Sequence, residues 1–125
     1  ILGARQTLAG IHEIRELWPA RPLDLLAVLP TSVNPVTHAT RAAFEALDAD
    51  PEMRDRLFRR GIRQCIDVTY ALTQRQTIWE YAPRSRAAED FDAFVRFVSN
   101  QDASGPHAES RDHRPPDAEK AQTDI

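Results

Sequence analysis

The chain has 125 residues, 42% hydrophobic and 28% charged, with a net charge of −3. That is enough for one modest domain and too little for two. No apolar run reaches the about 18 residues that cross a bilayer, and the segment after Ile1 lacks a charged-then-apolar leader, so the expected location is cytoplasmic and off the membrane.

Charge is unevenly placed. Residues 1–99 hold equal numbers of basic and acidic groups, so the net negative charge lies in residues 100–125. Nearly all the basic residues are arginine, and Lys120 is the only lysine. Total arginine therefore says little, and local clustering says more. The single cysteine, Cys65, excludes an internal disulfide and a cysteine-rich zinc site, and its apolar surroundings predict a buried structural thiol.

In chain order, residues 4–17 predict a helix, with Leu8, Ile11, Ile14, Leu17 and Trp18 on one face and Pro19 and Pro22 ending it. Residues 23–29 are short and almost continuously apolar, which predicts a buried parallel strand. Asn34-Pro35 opens a second helix, to about Leu47, with Ala39, Ala43, Phe44 and Leu47 inward. Asp50 is placed to cap a third helix, with Pro51 at its first position and Gly61 at its end.

Residues 62–68 predict a second strand, residues 69–76 a short helix or loop, and residues 77–81 a third extended segment. Pro83 and Ser85 open a last helix to about Ser99, with Ala87, Phe91, Phe94, Val95 and Val98 as its apolar stripe. From Asn100 on the periodicity stops and the composition predicts a disordered acidic tail. The order of elements predicts an α/β fold: the C-terminal part of a doubly wound, mostly parallel sheet with flanking helices, over residues 1–99.

The segment Gln76 to Phe91, QTIWEYAPRSRAAEDF, contains a turn made by Tyr81, Pro83, Ser85 and Arg86, followed by the small pair Ala87-Ala88. Upstream stand LLAVLPTSVNPVT and then Ile62 to Tyr70. This ordered series, covering about residues 5–98, resembles the C-terminal part of ParA-family partition ATPases of the ParA/MinD-like P-loop superfamily. The turn also has a purely physical reading. Pro83 fixes the chain, Ser85 caps a helix, and the alanine pair permits close packing.

The resemblance implies an ATP-dependent machine for plasmid or chromosome segregation. Such proteins use ATP and magnesium, form a homodimer on nonspecific DNA, act at the nucleoid and respond to a partner of the ParB type. It also implies that the loops after the strands lie near the adenine, which here points to Pro30, Thr31, Arg63 and Gln64. The family pattern often has proline and arginine where Arg63 and Gln64 stand, and the alternative is that all four are ordinary loop residues. The glycine-rich phosphate loop is absent. The four glycines, Gly3, Gly10, Gly61 and Gly105, have no neighbouring lysine. The chain is therefore expected to be noncatalytic alone, to bind no cofactor alone and to hold no catalytic residue.

Two arginines used for DNA by some family members would fall at Val36 and Asp67, where this chain has neither. A substitute stripe of Arg56, Arg59, Arg60 and Arg63 falls at helical spacing and could neutralise phosphates. Its other reading is a solvated helix face paired with Glu52 and Asp55. His12, His38, His107 and His113 lack the spacing of a metal site. The tail does not resemble the basic amphipathic helix of membrane-bound MinD-type relatives. The competing class is a small noncatalytic regulatory domain that binds nucleic acid or protein through the arginine stripe.

Overall fold

A computed structural model describes residues 1–103. Among them six helices follow in order: α1 (Leu2–Leu17), α2 (His38–Ala49), α3 (Pro51–Arg54), α4 (Ile66–Thr73), α5 (Ile78–Tyr81) and α6 (Arg86–Ala103). The α/β expectation is wrong for these residues. They form no sheet, and β pairing is confined to two isolated parallel bridges, Val28 with Leu57 and Val33 with Arg63.

The reason is visible in each expected strand. Residues 23–29 form no strand, and their one bridge is at Val28: its N–H donates to Arg56 O at 2.8 Å and its carbonyl accepts from Phe58 N at 3.0 Å. The expected strand 62–68 pairs at Arg63 and then turns into α4 at Ile66. The expected extended segment 77–81 is α5, because Thr77 caps it by accepting from Glu80 N at 3.2 Å. Local capping thus overrode an apolar, β-branched pattern whose strand neighbours are missing.

The helices follow their caps. Thr37 Oγ1 accepts from Thr40 N at 3.3 Å and starts α2 a turn later than Pro35 suggested. Asp50 accepts from Glu52 N at 3.0 Å and Met53 N at 3.3 Å, with Pro51 at the first helical position, as the sequence predicts. However, α3 stops at Arg54 rather than at Gly61. Residues 55–60 instead form a turn and the Leu57 bridge. The expected tail lies outside the described residues from 104 on, and residues 100–103 belong to α6.

Two apolar clusters hold the chain. One joins Leu47, Met53 and Leu57, with Ala4, Leu8, Val28 and Phe44 against it. The other joins Ala71, Ile78, Ala87 and Ala88, with Cys65, Val68, Ala82 and Phe91 against it. The Ala87-Ala88 pair is fully buried, so the close packing read from the sequence is present, although helices rather than a sheet receive it. Phe58 links the halves, lying 5.4 Å from the Phe94 ring and 5.3 Å from Phe97. By contrast, α1 is only half packed: Ile14, Leu17 and Trp18, expected inward, are exposed.

Candidate functional site

The two bridges bring two loops together. Ile62 N donates to Pro30 O at 2.8 Å, Val33 N to Ile62 O at 2.9 Å, and Gln64 N to Val33 O at 2.9 Å. This short exchange locks residues 30–33 against residues 62–64. Gly61 makes the approach possible. Its φ is +63°, and a Cβ there would sit 2.8 Å from Val33 Cγ2.

Beside this junction lies a cleft of about 390 Å³, lined by Thr31, Ser32, Arg63, Gln64, Cys65 and Phe91 among others. Three of the four residues expected on the adenine side, Thr31, Arg63 and Gln64, therefore line one cleft. Pro30 stands behind them, its carbonyl spent on Ile62 N. Ser32, at φ +53°, holds the left-handed region at the cleft wall. Val68 and Phe91 add an apolar surface, so the cleft offers both hydroxyl and amide groups and a face for an uncharged ring.

Asp90 is the electrostatic centre. Its carboxylate is fully buried and accepts from Arg60 Nε at 2.9 Å, Arg63 N at 3.0 Å and Arg63 Nε at 2.9 Å. Burial pushes the Asp90 carboxyl up, but the bonds from Arg63 and Arg60 outweigh it and hold the group below the usual carboxylate range. Hydrogen bonding to Asp90 raises Arg63 above the ordinary guanidinium value, against a smaller loss from burial. Glu89 adds a second carboxylate, 3.1 Å from Arg60 and 3.4 Å from Arg63. Nothing in the spacing of residues marks Asp90 beyond its place in α6.

The four arginines expected to bind DNA do not share one helix, because α3 ends before them. Arg56 donates to Gln101 Oε1 at 2.6 Å and Arg59 to Asp48 Oδ2 at 2.9 Å. Arg60 and Arg63 converge on Asp90 and Glu89. The expected counter-ions Glu52 and Asp55 serve other groups. Glu52 holds His12 at 2.8 Å and Arg15 at 3.1 Å, while Asp55 sits 3.7 Å from Arg54.

At the signature turn, Ser85 Oγ accepts from Ala88 N at 3.1 Å and donates to Ala82 O at 2.7 Å, which is the cap its position predicts. Arg86 reaches back and donates to Gln64 O, tying the start of α6 to the second loop. Cys65 is half-buried rather than buried, with Sγ 3.6 Å from Asp67 Oδ2. Among the described residues no cluster of His, Cys, Asp or Glu is arranged to hold a metal, and no helix is long and apolar enough to cross a membrane.

No family model, curated protein or solved structure matches the chain.

Proposed function

We propose that the chain is the C-terminal portion of a ParA-type partition ATPase and that the cleft beside Thr31 and Gln64 takes the base of its nucleotide. The two loops that the resemblance implied are kept, and the sheet that was to carry them is given up. One observation carries it: two loops distant in sequence, 30–33 and 62–64, meet at one cleft and bring Thr31, Arg63 and Gln64 to its wall.

In this reading the chain contributes recognition and not chemistry. Phosphate binding and hydrolysis need a glycine-rich loop with lysine, which the 125 residues do not contain. ATP, magnesium, dimerisation on DNA and a ParB-type partner belong to the assembled ATPase. For Arg56, Arg59, Arg60 and Arg63 to serve a DNA surface, phosphates would compete with the partners these arginines now hold.

The coding region ahead of Ile1 tests the reading. A glycine-rich loop with lysine, in frame, is the expected result, and a coding region without one overturns it. The protein encoded with that loop is expected to bind a fluorescent adenine nucleotide, and Gln64→Ala is expected to weaken that binding.

A further inference from the structure

A second cleft lies on the other side of residues 63–64. It holds about 360 Å³ and is lined by Val33, Asn34, Pro35, Arg63, Gln64 and Arg86. Its polar lining is unusual in one respect: it consists of two guanidinium groups and two carboxamides, with no carboxylate. Glu89 and Asp90 engage Arg63 but do not line the space.

Arg63 is spent on Asp90 and Glu89, and the donors of the other three polar residues are largely unspent. Arg86 is exposed and makes no ion pair among the described residues, and its one hydrogen bond leaves through a single terminal nitrogen to Gln64 O. A guanidinium has five N–H groups in a planar fork, so Nε and the other terminal nitrogen remain for a ligand. Asn34 uses its Oδ1 to accept from Val36 N at 3.3 Å, which leaves its NH₂ as donor. The Gln64 side chain is exposed and makes no hydrogen bond among the described residues. The position of the α6 helix end adds little, because Ser85 already takes the N–H of Ala88.

We propose that this cleft is an oxyanion site for a phosphate group, with Arg86 as its principal anchor and Asn34 and Gln64 as neutral donors. A phosphate oxygen accepts hydrogen bonds and carries the charge that an unpaired arginine lacks nearby, and a planar fork binds two such oxygens at once. Phosphate can arrive as a free anion or as part of a nucleic-acid backbone, and the chemistry at Arg86 is the same. The proposal uses a different cleft from the one assigned to the base, so either can fail without the other.

The test is a titration of the chain with inorganic phosphate, followed by NMR shifts of the amides and the arginine Nε–H groups, at constant ionic strength with chloride as the control. A second arm uses a short DNA duplex of unrelated sequence. Shifts confined to Asn34, Gln64 and Arg86 are expected. Arg86→Gln should weaken binding by about tenfold or more, the loss typical of a charged hydrogen-bonding group. Arg96→Gln, which removes an exposed charge elsewhere on α6 that makes no ion pair among the described residues, should leave it unchanged. Asn34→Asp keeps the bond from Val36 N and places a negative charge in the cleft, so it should abolish binding even if Arg86→Gln proves too unstable to use.

Binding of the duplex alone, lost in Arg86→Gln and kept in Arg96→Gln, supports the site and assigns the backbone as its source. Equal weakening by Arg86→Gln and Arg96→Gln, or no binding in either arm, overturns the proposal.

Discussion

Asp90 holds Arg63 twice through one oxygen: Oδ2 accepts the backbone N–H at 3.0 Å and the side-chain Nε at 2.9 Å. The same residue whose backbone bridges Val33 is thereby pinned to α6. One buried carboxylate thus joins the loop that lines both clefts to the longest helix. Replacing Asp90 with alanine leaves Arg60 and Arg63 with only the exposed Glu89 as common partner, and the loss is expected to be about 3 kcal/mol, at the low end for breaking a buried pair because both arginines reach water. Urea denaturation measures it. Asp48→Ala, which breaks the exposed pair with Arg59, should barely move the midpoint.

The same carboxylate sets an acid limit. Asp90 titrates below its unfolded value, so the unfolded chain binds a proton first as pH falls. Its contribution is fully present above the unfolded carboxylate pKa of about 4 and is lost as pH falls through the lower folded value. The denaturation midpoint should therefore fall as the pH drops below about 4. The slope should be shallower in Asp90→Asn, which titrates in neither state. Parallel slopes in the two proteins would assign the acid sensitivity to other carboxylates.

Gly61→Ala tests the close approach of the loops. The left-handed conformation costs an alanine about 1 kcal/mol or more. The new Cβ also meets Val33 Cγ2 at 2.8 Å and the carbonyl of Pro30 at 3.2 Å. Both neighbours belong to the wall between the clefts. The expected result is a lower thermal midpoint together with NMR shift changes at Val33 and Gln64. A neutral substitution would show that residues 30–33 move aside freely.

How much of this was legible depended on whether the signal was local. Asp50-Pro51 and Ser85 announce their helices because a cap needs only its own next three residues. Residues 62–68 and 77–81 misled because β-branched and apolar residues report burial as readily as strand, and a strand needs a neighbour that no local pattern specifies. The arginine spacing assumed a helix to Gly61, and α3 ended at Arg54. Thr31 and Gln64 could be paired only through the resemblance, and Asp90 through nothing in its spacing. A buried charge network is a property of the assembled chain, since each partner reads alone as a solvated residue.

The unfinished packing of α1 leads to a last prediction. Its N-terminal half reaches the core through Ala4 and Leu8, and its far half is clipped on by His12 and Arg15 to Glu52. At the clip and after it, Ile14, Leu17, Trp18, Leu23 and Leu26 stand exposed, from 40% to 62% of their surface open. Ile14, Trp18 and Leu23 line one open groove, and this much exposed apolar surface is disfavoured by water. In residues 23–29, which follow the helix, the one β bridge is at Val28. Self-association that rises with concentration is the expected behaviour of the chain on its own. Sedimentation at several concentrations measures it, and Leu17→Glu with Trp18→Glu should shift the chain toward monomer without lowering its thermal midpoint, since neither side chain supports the core. A sharp monomeric transition of the unsubstituted chain at high concentration would instead mark these 125 residues as a self-sufficient domain and favour the reading of a small regulatory module over a portion of a larger ATPase.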